Sequence, residues 1–262
     1  MVDTVKINNY SFRFNIMKGE NMGLEKWNWD KEFFKEINTN EKAYWFGFIM
    51  GDGYIIDNRN SSNSSNAMGL RIRLCESDKS LLEKLNKDIK YDKPIKIVKN
   101  YGNYENQQNL AEFLLSSTEI VDDLENLGLT SGNKSCNEFL PNFSDKNLTK
   151  NFILGLFDAD GCVSLYNSWS KRDKKYKECY EWQIVSSQDI LNKIHAFLTK
   201  EINDIQFQKI TKNNNKKNND LYRLKAGSKN TIKKLYEYFY LNECSKSYLD
   251  RKYNKMKEIF NK

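Results

Sequence analysis

Hydrophobic and polar positions follow the same order twice along the chain. Each pass begins with a largely apolar helical run, from Thr39 or Asn40 to Gly51 and from Thr149 to Ala159. Alternating strand-like segments follow, and an amphipathic helix comes after each pair of strands. The pattern therefore predicts two α-β-β-α-β-β-α units, which form an α+β protein of two pseudo-symmetric halves with antiparallel sheets.

The predicted elements of the two halves correspond in order. The first half contains a helix at 39–51, strands at 53–56 and 69–74, a helix at 78–89, strands at 94–98 and 110–115, and a helix at 118–127. The second contains a helix at 149–159, strands at 161–166 and 179–185, a helix at 188–200, strands at 205–211 and 221–225, and helices at 228–241 and 247–260. An Asn38-x-x-Glu41 capping box marks the start of the first helix.

The same pattern predicts the domain organisation. Residues 1–38 are an N-terminal extension with a short helix near 27–37. The first half covers 39–128, the second covers 144–262, and residues 129–143 are the linker between them. Polar tips join the strands of each half. The tip at 57–66 is nearly neutral, whereas the tip at 167–177 is rich in Lys and Arg.

Composition is compatible with a nucleic acid partner. The 262 residues carry a formal net charge of +7, and 13% of them are aromatic. An AT-rich coding genome, which raises the Lys and Asn content, explains the charge equally well. Five cysteines without a C-x-x-C pair, together with one histidine, argue against a structural zinc site and favour reduced thiols in an intracellular, soluble protein. No apolar run approaches the ~20 residues of a membrane span.

Two nine-residue segments carry the candidate chemistry. Residues 45–53 read WFGFIMGDG and residues 153–161 read ILGLFDADG, so each ends in an Asp-Gly pair. A glycine inside a helix costs about 1 kcal/mol relative to alanine, which suggests that Gly47 and Gly155 allow two helices to approach closely. Asp52 and Asp160 would then emerge side by side. Because neighbouring carboxylates repel, a divalent cation such as Mg²⁺ is expected between them.

These segments resemble the LAGLIDADG motif of homing endonucleases, in the single-chain form that carries two motifs. The second copy is the closer one, while the first opens with Trp45-Phe46 and has Met50 in place of its first acid. The resemblance covers roughly residues 39–262. It implies a site-specific endonuclease that holds a long, nonpalindromic duplex DNA site in a saddle of two antiparallel sheets. Such an enzyme cleaves both strands across the minor groove and leaves short 3′ overhangs.

The resemblance also assigns roles at the centre of the site. Asp52 and Asp160 would bind Mg²⁺ or Mn²⁺, with the backbone carbonyls of Gly51 and Ala159 completing the ligation, and Ca²⁺ would bind without supporting cleavage. A water activated by the metal would attack phosphorus in line. Lys225 is the candidate for the catalytic lysine that such enzymes carry on the last strand of each half. The matching stretch of the first half, residues 111–114, has no lysine. Either the two strands are cut at unequal rates, or Lys96 or Lys99 serves instead.

The strands and tips supply the predicted DNA contacts. Leu70, Ile72 and Leu74 alternate with Arg71 and Arg73, so one face of that strand is apolar and the other basic. Polar side chains on such outward faces are suited to reading bases in the major groove. The candidates are Arg71, Arg73, Gln183, Lys209 and Arg223. Phosphate contacts are expected from the basic tip, through Lys171, Arg172, Lys174 and Lys175.

Two alternatives to cleavage remain open from the sequence. One is an RNA-binding maturase that helps a host intron fold, and the other is a non-cleaving, sequence-specific DNA-binding protein. Retention of both acids favours cleavage, whereas the missing first-half lysine is the one hint of a silent protein. The single-chain, two-motif form implies a monomer. An intron-encoded or free-standing origin is expected rather than an intact intein, because no Cys-headed or His-Asn-tailed splicing element is present.

Overall fold

The described part of the chain forms two four-stranded antiparallel sheets, a separate pair of strands and seven α-helices. The computed structural model describes residues 4–7, 10–13, 27–59, 67–99, 108–131, 138–213, 221–241 and 245–262. The helices are α1 (Asn40–Asp52), α2 (Lys79–Asp88), α3 (Thr118–Asn126), α4 (Lys146–Asp160), α5 (Gln188–Glu201), α6 (Lys229–Tyr236) and α7 (Asp250–Asn261). The strands are β1 (Thr4–Ile7), β2 (Tyr10–Arg13), β3 (Gly53–Asp57), β4 (Met68–Cys75), β5 (Lys96–Val98), β6 (Leu110–Ser116), β7 (Gly161–Ser170), β8 (Lys175–Ser186), β9 (Thr211–Lys212) and β10 (Tyr222–Ala226). A 3₁₀ turn, Glu76–Asp78, precedes α2, and a π-helical segment, Glu237–Leu241, continues α6.

The two large sheets have equivalent topology. Their strand orders are β3-β4-β6-β5 and β7-β8-β10-β9, and β1 pairs with β2 separately. The register is also equivalent. Gly53, the first residue of β3, lies opposite Ile72, and Gly161, the first residue of β7, lies opposite Ile184. The predicted α+β fold of two pseudo-symmetric halves is confirmed.

One face of each sheet is buried under helices. Ile72 and Phe113 in the first sheet, and Ile184 and Leu224 in the second, are almost fully buried. Helices α2 and α3 contact the first sheet, and α5 and α6 contact the second. Because successive strand side chains point to opposite faces, the polar residues between these apolar ones lie on the other face.

Helices α1 and α4 pack along each other between the two sheets. A Cβ on Gly47 would collide with the carbonyl oxygen of Phe152, and a Cβ on Gly155 would collide with that of Tyr44. The two contacts are related by one shift, because each member of the second half follows its counterpart by 108 positions (155 − 47 and 152 − 44). A contact that repeats with its partners exchanged is the mark of a twofold axis. The predicted close approach of the motif helices is confirmed.

Several predicted boundaries are wrong at helix starts. No helix forms in the described residues 27–37; residues 31–35 make turns, in which the N–H of Phe33 bonds the oxygen of Asp30. The cap of α1 is Thr39 rather than Asn38, because its hydroxyl accepts the N–H of Lys42 at 3.3 Å. Helix α4 begins three residues early, at Lys146, where Asp145 caps it, and α7 begins at Asp250.

The strands of the second sheet also differ from the prediction. The tip expected at 167–177 shrinks to residues 171–174, because β7 and β8 continue on either side of it. Trp169 lies opposite Tyr176 there, with ring centroids 5.2 Å apart, and such cross-strand aromatic pairs stabilise a hairpin. Of the strand expected at 205–211, only Thr211 belongs to a strand, β9. In the part of the chain that is described, no helix has the length and apolar character needed to cross a membrane.

Candidate functional site

The two motif helices end next to each other. Asp52 is the last residue of α1 and Asp160 is the last residue of α4. A Cβ placed on Gly51 would lie 2.5 Å from the Cβ of Ala159 and 2.6 Å from Oδ2 of Asp160. The carboxylate of Asp160 therefore lies against the backbone that leads directly into Asp52. The structure brings the four predicted metal-binding residues together.

These residues form a donor set suited to a hard divalent cation. Two carboxylates and two backbone carbonyls are oxygen ligands of the kind that Mg²⁺ and Ca²⁺ prefer. Asp52 is exposed and Asp160 is half-buried, so both residues are accessible to solvent. Within the described ranges, no group of three or more His, Cys, Asp or Glu side chains could hold a metal ion. A two-carboxylate site fits Mg²⁺, because that ion keeps several waters and takes ligands from substrate phosphates.

Lys225 lies on the outward face of β10 and is held by an acid. Its Nζ donates to Oε2 of Glu181 at 2.8 Å, and its strand partner on β8 is Gln183. Gln183 and Lys225 are one position from Ile184 and Leu224, so they point away from the buried face. The ammonium therefore has a fixed place on the polar face of the second sheet.

The equivalent position in the first half is Leu114. Phe113 pairs with Ile72 as Leu224 pairs with Ile184, so the next residue, Leu114, corresponds to Lys225. Leu114 lies opposite Arg71. The two lysines considered as replacements lie nearer the edge of the sheet. Lys96 belongs to the edge strand β5, opposite Glu112, and Lys99 follows that strand. The pseudo-symmetry of the backbone does not extend to this side chain.

The two arginines of β4 have different surroundings on the outward face. The Arg71 guanidinium carbon lies 4.8 Å from the ring centroid of Tyr54, which is half-exposed. Arg73 instead forms an ion pair with the nearly buried Glu112, at 2.6 Å. Arg71 is therefore presented on an aromatic support, while Glu112 offsets the charge of Arg73.

The outward face of the second sheet carries polar groups that lack internal partners. Gln183 and Arg223 lie on the same face as Lys225. Within the ranges that the structure describes, Oε1 of Gln183 and Nε of Arg223 are buried without a hydrogen-bond partner. Buried polar atoms are usually paired, so these two are suited to bonding a ligand. Lys209 is exposed, but it lies outside any regular strand.

The basic tip is the turn of the β7–β8 hairpin. Its four predicted phosphate contacts are all exposed, and Lys174 has a positive φ of 50°. Asp173 forms ion pairs with Lys177 at 2.6 Å and with Arg172 at 3.6 Å. The described cations outnumber the acid, so the end of the hairpin keeps a positive charge.

A buried polar cluster beside the motif helices escaped the sequence reasoning. Oδ2 of Asp158 accepts the hydroxyl of Tyr44 at 2.9 Å and the N–H of Leu249 at 2.8 Å. Nearby, Lys252 is only 2% exposed. Burial raises the pKa of Asp158 to about 6 and lowers that of Lys252 to about 8. The available signal was that Lys252 falls on the apolar stripe of α7 with Met256 and Ile259.

Comparison with known proteins identifies the fold. No family model matches the sequence, and no curated protein matches it either. Among solved structures, the meganuclease I-SmaMI bound to uncleaveable DNA is similar over 86% of this chain and 89% of its own, with 12% identity and a TM-score of 0.57. The LAGLIDADG meganuclease I-AabMI bound to uncleaved DNA is similar over 83% and 88%, with 13% identity and a TM-score of 0.54. The I-LtrWI LAGLIDADG homing endonuclease bound to target DNA is similar over 88% and 91%, with 15% identity and a TM-score of 0.53. The chain therefore has the fold of the LAGLIDADG homing endonucleases, as its two motifs suggest.

Proposed function

We propose that this LAGLIDADG-fold protein is a site-specific endonuclease that makes a staggered double-strand break in duplex DNA with a bound divalent cation. The observation that carries the proposal is the position of the Asp160 carboxylate against Gly51, beside the end of the other motif helix. When bound there, the cation supplies Lewis acidity that activates water and stabilises the leaving oxygen.

The roles of the side chains follow from their positions. Asp52 and Asp160, with the carbonyls of Gly51 and Ala159, would hold the cation. Lys225, which Glu181 holds on the outward face, would stabilise negative charge that develops on the phosphate. Leu114 offers no charge at the equivalent place, so we expect the two DNA strands to be cut at different rates.

The test starts from DNA selection, because the target is unidentified. A pool of randomised duplexes is enriched for binding in Ca²⁺ and then transferred to Mg²⁺ or Mn²⁺. We expect the enriched duplexes to be cut at one position with staggered ends. Tight, sequence-specific binding without a break in either cation would favour the non-cleaving alternative. Preference for a folded intron RNA over every enriched duplex would favour the maturase.

Removal of the second-half lysine should slow cleavage of one strand. In the Lys225→Met variant we expect cleavage of the strand nearer that site to fall about 10²-fold, the effect typical of losing one charge-stabilising donor. The other strand should be cut at the wild-type rate, which gel analysis of a duplex labelled on each strand will measure. Lys193→Met is the matched control, because that lysine forms an exposed ion pair with Asp189 on α5. Equal slowing of both strands would contradict the asymmetric role.

Neutralising the hairpin turn should reduce the salt dependence of binding. For the double variant Lys171→Gln/Lys175→Gln we expect the negative slope of log K against log [salt] to become shallower by about 2, since each phosphate contact contributes about −0.9. Titrations of the enriched duplex in Ca²⁺ at several salt concentrations measure the slope. The control is Lys193→Gln/Lys200→Gln on α5, which has the same change of net charge. Identical slopes in the two variants would show that the turn makes no phosphate contact.

A further inference from the structure

Lys252 binds the last turn of the helix that carries Asp160. Its Nζ donates to the carbonyl oxygens of Phe157, at 2.6 Å, and Asp158, at 2.7 Å. The Phe157 oxygen also accepts the N–H of Gly161, which follows Asp160. Helix C-termini carry unsatisfied carbonyls and partial negative charge, so an ammonium placed there stabilises the final turn. The same ammonium lies 4.9 Å from the ring centroid of Phe157.

The cluster around Lys252 joins three helices. Asp158 of α4 accepts hydrogen bonds from Tyr44 of α1 and from the backbone of Leu249, the residue before α7. Tyr44 is also the residue whose carbonyl lies against Gly155. Movement of α7 would therefore disturb the end of α4 and the contact between the two motif helices together.

The start of α7 is in turn attached to the first half. Asp250 accepts hydrogen bonds from Lys84, at 2.8 Å, and from Ser80, at 3.1 Å, on α2. The next residue, Arg251, bonds Asp78 at 2.9 Å. Helix α7 thus begins in contact with the first half. Lys252, two residues after Asp250, then contacts the end of α4, where Asp160 lies.

The corresponding place in the first half has different chemistry. Met50 occupies the position equivalent to Asp158, since both lie two residues before the predicted metal ligand. Met50 is buried, and its thioether cannot replace the paired hydrogen bonds that the carboxylate accepts. A carboxylate that accepts these paired hydrogen bonds is therefore present at this position in the second motif and not in the first.

We propose that Lys252 is a positioning residue, which fixes the final turn of α4 and thereby holds Asp160 in its metal-binding position. This inference rests on the proposed function. It also makes the position of the second-half ligand dependent on the packing of α7. Removing a residue that supports a metal ligand commonly lowers metal affinity by about 10- to 100-fold.

The test detects an ion bound where the two motif helices end. Fe²⁺ with ascorbate cuts a polypeptide beside the bound ion, so the wild type should give fragments ending near residues 52 and 160. For Lys252→Met we expect both fragments to fall about tenfold or more at limiting Fe²⁺, because Asp52 and Asp160 hold one ion together. Lys255→Met, which removes an ion pair with Glu258 on the same helix, should give both fragments at the wild-type level. Without metal, the backbone amide hydrogens where α4 meets β7 should exchange about tenfold faster in Lys252→Met than in the wild type or in Lys255→Met.

A double variant separates positioning from folding. Asp158→Met/Lys252→Met removes both buried charges and gives the second half the chemistry of Met50, so it should fold even where the single variant does not. We expect its melting temperature to return toward that of the wild type while the cut at 160 stays weak. A wild-type cut at 160 in either variant would overturn the inference and leave the proposed function intact. No cut at 52 or 160 in the wild type would overturn the metal site, and the inference with it.

Discussion

Replacing Asp160 with Asn is expected to abolish double-strand cleavage while DNA binding persists. The amide keeps the size of the carboxylate but loses the charge that attracts a divalent cation. Losing about 4 kcal/mol of transition-state stabilisation corresponds to a rate about 10³-fold lower. Binding in Ca²⁺ should be unchanged or tighter, because a negative charge is removed from the surroundings of the phosphates. Cleavage rates and affinities on the same enriched duplex measure both effects.

The control for this prediction is Asp189→Asn. That carboxylate is exposed on α5 and pairs with Lys193, away from the motif helices. It should leave both cleavage and affinity at the wild-type level. Full cleavage by the Asp160→Asn protein would show that Asp160 is not a metal ligand. Loss of binding together with cleavage would show that the substitution acts through the fold.

Replacing Gly155 with Ala is expected to cause the largest loss of stability among single-methyl changes. The added Cβ would collide with the carbonyl oxygen of Tyr44 and lie 2.8 Å from the amide nitrogen of Phe48. Both obstacles are backbone atoms, so the helices must separate. Overpacking of this kind costs about 3 kcal/mol or more, and each kcal/mol lowers the melting temperature by roughly 2–4 °C in proteins of this size. Thermal unfolding followed by circular dichroism measures the loss.

Gly227→Ala is the matched control for the helix contact. There the added methyl would lie 3.0 Å from the side-chain nitrogen of Gln208, which can move, and 3.6 Å from the oxygen of Tyr180. We expect a change within about 1 kcal/mol of the wild-type free energy of unfolding, because the substitution also restricts the unfolded chain. Similar melting temperatures for the two variants would contradict the close packing of α1 on α4.

Much of the fold was predictable because its signals are local. Alternating apolar residues such as Leu70 and Ile72 mark a strand with one buried face, and both are fully buried. The prediction was wrong where the conformation of an element depends on a distant partner. The hairpin extends past residue 167 because Trp169 meets Tyr176 across it. The segment before Thr211 is not a strand, because its regular pairing with β10 begins only at that residue.

The candidate site was predictable to the same extent and for the same reason. The Asp-Gly ends and the glycines before them are short motifs, and they predict two helices that touch and two carboxylates that emerge together. The assignment of Lys225 followed from its strand. The contacts around it were not predictable, because they depend on strand register, which a shift of one residue would change. These contacts are Lys225 with Glu181, Arg71 on Tyr54 and Arg73 with Glu112.

The sequence by itself determined the duplication, the α+β class and the meeting of Asp52 with Asp160, because periodicity and glycine spacing are properties of short segments. Only the tertiary structure decided which groups surround those carboxylates. Lys252 lies 92 positions beyond Asp160 (252 − 160), on a helix whose pattern predicts an apolar residue there. That pattern marks the position as buried, but the groups that Lys252 contacts depend on how α7 crosses from α2 to the end of α4, which is a matter of long-range packing.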